Sequence, residues 1–231
     1  MLNINISQLF NIQLNLGHIK NKWLKYFDIF ILGIRNNFII FNLDFSILNL
    51  KKIINFLIYI SFYHIKLFFI SNFLNYNSKG LMQYIVRFNK DAGYYDGNFI
   101  GGLISNIKTF FFMKNLYKKK NVFNFRKLDY IYPSAVIVGD SNRFYLAIKE
   151  CFLFGIPSIS IIDSDLDFNH GFYLLYGNND SKLITFFLCY YCNLSSLIGQ
   201  YKLKKKIFFF NLRLVLFFFQ LFIYILSFYS Y

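Results

Sequence analysis

Along this chain the spacing of apolar and polar positions changes repeatedly, and each change marks an expected element. Leu9–Lys25 is mixed: Leu14, Leu16, Gly17 and His18 lead into Lys20, Lys22 and Lys25, which reads as a short helix running into a basic loop. Gly33 to Asn37 is a turn cluster, and Phe38–Phe45 then reads as a buried strand ending near Asp44. Ile47, Leu50, Ile54, Leu57 and Ile58 form the stripe of an amphipathic helix over Ser46–Phe62, with His64–Ile70 following as a strand. By hydropathy alone Ile53–Ile70 has the length of a membrane span, but His64 and Lys66 lie inside it, where a cation is costly in lipid. Helix followed by strand is the preferred division.

Further on, Ser78–Phe88 has helical character, Lys90–Gly97 reads as a polar loop, and Gly101-Gly102 permits close backbone approach. Asn106–Tyr117 reads as a helix running into Lys118-Lys119-Lys120. The clearest stretch is Pro133 to Asp180. Ser134–Asp140 is a β-branched run closing in a turn. Asn142–Phe154 has helical spacing, with Ser141 or Asn142 as the expected N-cap and Gly155 as the stop. Ser158–Asp163 is a second strand-length run, opened by Pro157. Strand, helix and strand with short links make a βαβ unit, hence parallel pairing. Ser181–Ile198 is expected as the last domain helix, with Gly199 as its stop.

These elements predict an α/β protein with three layers, a mostly parallel sheet carrying helices on both faces, in the manner of flavodoxin-like or Rossmann-like folds. The expected division is an N-terminal extension and basic loop (1–34), the α/β domain (35–199), and a basic linker with a hydrophobic C-terminal helix (200–231). The tail Ile207–Tyr231 is long enough to cross a bilayer, although Asn211, Arg213 and Gln220 interrupt it. Packing against protein is the preferred reading, membrane insertion the alternative.

Charge narrows the partners. The 231 residues carry 25 Lys+Arg against 11 Asp+Glu, a formal +14, which calls for nucleic acid or anionic headgroups. The cations fall in loops rather than along one face: Lys20, Lys22 and Lys25; Lys118, Lys119 and Lys120; Arg126 and Lys127; Lys202, Lys204 and Lys205. Such runs suit distributed phosphate contacts, which give affinity without base readout. Phe, Ile, Asn, Lys and Tyr dominate, residues that share A- and T-rich codons, as in an organellar genome. Three cysteines supply no disulfide framework. The N-terminus has neither a secretory signal nor an Arg-rich presequence, so a mitochondrial location implies synthesis in the organelle.

No catalytic set emerges. Asp163, Asp165 and Asp167 alternate like the start of a calcium loop, but Phe168 and Leu174 stand where that loop needs Gly and Glu. These acids read instead as loop caps at a strand end, or as legs of a binding crevice. Cys189 and Cys192 have no second pair and read as small buried hydrophobes. His18, His64 and His170 match no metalloprotease pattern, and neither glycine-rich phosphate fingerprint occurs. No cofactor or metal is expected.

The order of motifs resembles one family, the universal small-subunit ribosomal proteins uS2. Its early G-H is similar to Gly17-His18, and its R-N-x-x-x-I-I-D-L segment to Arg35 through Leu43. Its R-W-L-G-G-x-L-T-N-x-x-T is similar to Asn98 through Thr109, with Asn98-Phe99 replacing Arg-Trp. The P-D-x-x-x-V-x-D, A-x-x-E-A and I-P elements resemble Pro133 to Asp140, Ala147 with Glu150-Cys151, and Ile156-Pro157. V-D-T-N and P-G-N-D-D resemble Ile162 to Asp165 and Tyr176 to Asp180. The matches cover roughly residues 9–198, and the tail matches nothing in the pattern. Only Phe110–Tyr132 separates the third motif from the fourth, too short for the family's coiled-coil hairpin, which is expected to be absent or vestigial.

The resemblance implies a non-catalytic constituent of the mitochondrial small subunit, in the matrix, bound to small-subunit rRNA and neighbouring ribosomal proteins. It adds His18, Arg35, Asn36, Asn98, Asn106 and Lys108 to the cations above as expected rRNA contacts. Two other readings stay open: a membrane-anchored basic protein using the tail, and a small nucleotide-binding α/β enzyme.

Overall fold

A computed structural model describes residues 4–63, 65–71, 81–107, 109, 133–166 and 170–203. It begins with helix α1 (Ile6–Asn11) and a small antiparallel sheet of β1 (Leu16–Ile19), β2 (Ile31–Arg35) and β3 (Phe38–Phe41), in the order β1-β3-β2. Then come α2 (Leu43–Phe62), β4 (Leu67–Ser71), α3 (Leu81–Val86), β5 (Ala92–Asp96), β6 (Ala135–Val138), α4 (Tyr145–Leu153), β7 (Ser158–Ile162), β8 (Tyr173–Tyr176) and α5 (Lys182–Leu203). The last five strands form a wholly parallel sheet in the order β5-β4-β6-β7-β8. Numbered within that sheet the order is 2-1-3-4-5, the flavodoxin-like winding, with its switch point between β4 and β6.

Strand alternation assigns the layers. Leu67 and Phe69 of β4, Ala135 and Ile137 of β6, and Ile159 and Ile161 of β7 face one core, shared with α1, α2, α3 and α5. Phe68, Ile70, Val136 and Val138 face the other, against Ala147, Ile148 and Cys151 of α4 and the turn residues Leu103 and Ile104. The β6–α4–β7 unit confirms the expected βαβ. Its helix ends in a Schellman motif: Ile156 N–H donates to the Cys151 carbonyl at 2.9 Å and Gly155 N–H to Phe152 at 3.1 Å. Gly155 sits at φ +66, the left-handed cap expected of it.

Several expectations need correction. Lys90–Gly97 is not a loop; Ala92–Asp96 is strand β5, buried throughout and paired with β4. Gly93 and Asp96 hide it from a propensity reading, because its burial comes from the layers above and below. Gly199 does not stop the last helix but lies inside α5. Neither Ser141 nor Asn142 caps α4: residues 141–144 form a turn and the N-cap is Phe144, without a side-chain bond.

The strand expected to run to Asp44 stops at Phe41, where Asn42 caps α2 by accepting the Asp44 N–H at 3.0 Å. The cluster from Gly33 is a strand followed by a tight turn, with Arg35 paired to Phe38 across Asn36 and Asn37, both at positive φ. Strands β1 and β8 also went unforeseen. α2 and α5 are each long and apolar enough to cross a membrane, but they pack on one another and 78% of the most apolar stretch of α5 is buried. The expected helix over Asn106–Tyr117 lies almost wholly outside the described residues, and the hairpin region, His64 and the tail Ile207–Tyr231 entirely so.

Candidate functional site

The small sheet docks at the carboxyl end of the parallel sheet through one polar joint. Gly17 makes the joint possible: a Cβ there would stand 2.9 Å from the Phe41 ring and 3.3 Å from an Asp163 carboxylate oxygen. The neighbouring His18 N–H donates to Asp163 at 3.2 Å and to the Ser164 hydroxyl at 3.3 Å. The His18 ring places Nδ1 3.0 Å from Asp163, and Nε2 3.6 Å from Asp165 and 3.5 Å from Asp180. Asp163 also accepts from the Ser164 N–H and hydroxyl, so it caps its own loop as expected. Beneath the joint, Phe27 and Phe41 pack on Ile162 and Tyr176 of the main sheet, with Phe30 stacked on Tyr176 at 3.8 Å.

Three carboxylates around one imidazole favour its charged form. The hydrogen bond to Asp163 raises the His18 pKa above its ordinary value, with the fields of Asp163, Asp165 and Asp180 adding to it against partial burial. Burial likewise raises the Asp165 pKa, with His18 acting against it. His18, Asp163 and Asp165 also offer ligand atoms within 4.8 Å of one another, a nitrogen–oxygen set able to take a divalent cation. A phosphate would meet repulsion from the same carboxylates. The signal for this joint was present in Gly17-His18 and in the alternating acids, but 145 residues separate His18 from Asp163, and only the fold joins them.

At the other end of the strand-end crevice, Glu150 of α4 reaches across to the turn after β5. Its carboxylate accepts the N–H groups of Gly102 at 2.5 Å, Ile104 at 3.1 Å and Ser105 at 3.2 Å. Gly102 adopts φ +87, a conformation that glycine takes without strain. The Tyr95 hydroxyl donates to the Asn98 carbonyl on the same turn. Between β6 and α4, Asp140 accepts the Arg143 N–H at 3.2 Å and pairs with its guanidinium at 3.1 Å. At these two turns, backbone amides of the kind that can hold phosphate are engaged by the protein's own carboxylates.

The expected RNA-contacting residues divide into separate groups. Lys20, Lys22, Lys25, Arg35 and Asn36 are exposed on the small sheet and its loops. Ile19 pairs with Phe38, which pairs with Arg35, so Lys20, Arg35 and Asn36 share one end of that sheet. Asn98 and Asn106 are exposed on the turn after β5, at the carboxyl end of the main sheet. Lys202 stands apart, on the last turn of α5. The adjacent Gln200 donates to Asn89 and Asp91, which precede β5, so Lys202 is at the amino end of the strands. Lys108, Lys118, Lys119, Lys120, Arg126, Lys127, Lys204 and Lys205 lie outside the described residues. Cys189 and Cys192 are buried in α5, as hydrophobes of the core.

This is a three-layer α/β protein in which Asp163 and Glu150 bind backbone amides at the carboxyl end of the strands, with exposed cations on the docked small sheet. The family profile described as Ribosomal protein S2 matches residues 111–192, spanning β6, α4, β7, β8 and the first half of α5. Over 210 residues the chain is 25% identical to the small ribosomal subunit protein uS2m of Acanthamoeba castellanii, an alignment covering 90% of this chain and 62% of that protein. The chain thus spans less than two thirds of that relative's length. Both matches are to ribosomal protein S2, and over those spans the chain is similar to it.

Proposed function

We propose that the protein is a structural constituent of the small subunit of a mitochondrial ribosome, binding small-subunit rRNA and neighbouring ribosomal proteins and catalysing no reaction. The observation that carries this reading is the alignment over 90% of the chain with a mitochondrial small-subunit protein. The site supports it physically. Lys20, Lys22, Lys25, Arg35 and Asn36 on the small sheet, and Asn98 and Asn106 on the turn after β5, are exposed polar groups able to meet a phosphate backbone at several points. His18 holds the joint from which the first group projects. Lys202 adds a cation at the opposite end of the strands, and Lys204 and Lys205 follow it in the sequence. Lys108, Lys118, Lys119, Lys120, Arg126 and Lys127 complete the proposed set. The matrix is the proposed location, with the gene in the organelle, and the apolar tail packs on protein rather than in lipid.

Binding of the full chain to small-subunit rRNA, followed as salt is raised, tests this directly. Log affinity is expected to fall linearly with log salt, the mark of several phosphate contacts. Saturable binding of a mononucleotide, with salt-insensitive or absent RNA binding, would sink the reading in favour of a nucleotide-binding enzyme.

A further inference from the structure

We propose that Glu150 is a positioning residue for RNA binding, a role that rests on the reading above. Its carboxylate fills the amide nest after β5 and holds that turn so that Asn98, Ile100 and Asn106 are displayed outward. One side chain gathers three backbone N–H groups from within four consecutive residues of a segment 45 to 48 positions away in sequence. Two residues of that segment, Leu103 and Ile104, are fully buried against α4, so the turn is held from below by packing and from the side by the carboxylate. The Tyr95 hydroxyl fixes the Asn98 carbonyl on the same turn. What remains outward is Asn98, Ile100, Gly101 and Asn106, all exposed.

The geometry also selects how RNA is met here. Amides clustered at the carboxyl end of a parallel strand ordinarily attract a phosphate. In this chain they are satisfied by a carboxylate, which would repel one. RNA therefore meets the turn through side chains, and a free nucleotide finds no backbone cradle on this turn. Charge-assisted bonds are about twice as strong as neutral ones, so Glu150 suits a clamp better than its amide would.

The test uses the full chain carrying Glu150→Gln, which keeps the side chain's shape. In the free protein, hydrogen exchange at Gly102, Ile104 and Ser105 is expected to quicken by roughly tenfold while the strands keep their protection. A single thiol is then placed on the turn by Ile100→Cys and labelled with a photo-crosslinker, with Asn21→Cys on the small sheet as reference. Without the Glu150 change, both labels are expected to mark defined sites on small-subunit rRNA. With it, the Ile100→Cys crosslink is expected to weaken by roughly tenfold or spread, while the Asn21→Cys crosslink persists. Unchanged exchange, or an unchanged Ile100→Cys crosslink, overturns the clamp and leaves the RNA reading standing. No crosslink from either label before Glu150 is altered overturns the RNA reading and, with it, this role.

Discussion

Gly199 on α5 passes so close to Ile58 on α2 that a Cβ there would stand 2.5 Å from the Ile58 carbonyl oxygen and 2.9 Å from the Ser61 Cβ. The two long helices meet backbone to backbone at this point. In an exposed helix, alanine would be the better residue by about 1 kcal/mol. Here the atom in the way is backbone and cannot swing aside, and overpacking of this kind costs about 1–3 kcal/mol. Gly199→Ala is expected to lower stability by up to about 2 kcal/mol, read as a lower denaturation midpoint. A raised midpoint would show that the helices part freely.

A second joint of α5, to α3 and the turn after it, is polar and buried. Asn193 donates to the Ile85 carbonyl at 2.6 Å and accepts from Asn89 at 2.8 Å, and Asn89 also donates to Ser196. Replacing Asn193 with leucine keeps the forked outline of the side chain but leaves the Ile85 carbonyl and the Asn89 amide without those partners. Asn193→Leu is expected to cost about 2–3 kcal/mol in chemical denaturation. A neutral result would mean that other groups take up the bonds.

Burial also governs the thiols. It pushes Cys151 and Cys189 up to about 12, with Glu150 adding to the first and Asp96 to the second, and it raises Cys192 as well. At pH 8 almost no thiolate exists in the fold. A disulfide reagent is expected to find no reactive thiol in the native protein and three per chain after unfolding. Rapid native reaction at any of them would contradict the packing of α4 or α5.

His18 gives the fold a pH dependence of definite sign. The folded state favours the imidazolium, so its contribution is complete below the ordinary histidine pKa of about 6.5 and is lost as pH rises through the higher folded value. The raised pKa values of Asp165 and Asp140 act in the same direction, over a window that begins near pH 4. With chelator present, the denaturation midpoint is expected to fall between pH 6 and pH 8.5, and His18→Gln to flatten that fall. Parallel curves for the two proteins would remove His18 as the cause.

The sequence was most legible where local rules and tertiary placement agreed. Val136, Ile137 and Val138 are β-branched and also central in the sheet, and Gly155 is both a helix stop by type and a left-handed cap in fact. It was least legible where burial came from distant partners. Ala92–Asp96 has the composition of a loop, yet lies in contact with β4 under both layers. Gly199 looks like punctuation but is a helix contact, because nothing local records the approach of Ile58. The site behaved the same way. Exposed cations such as Lys20 and Arg35 could be named from type alone. The meeting of His18 with Asp163, and of Glu150 with the Gly102 turn, needed the fold.

Sedimentation tests the central claim most directly. A tagged chain is followed through a gradient under conditions that keep mitochondrial ribosomal subunits intact. The account expects co-migration with small-subunit rRNA, retained after the membranes are stripped by carbonate. Recovery only in free or lipid-bound fractions would contradict it.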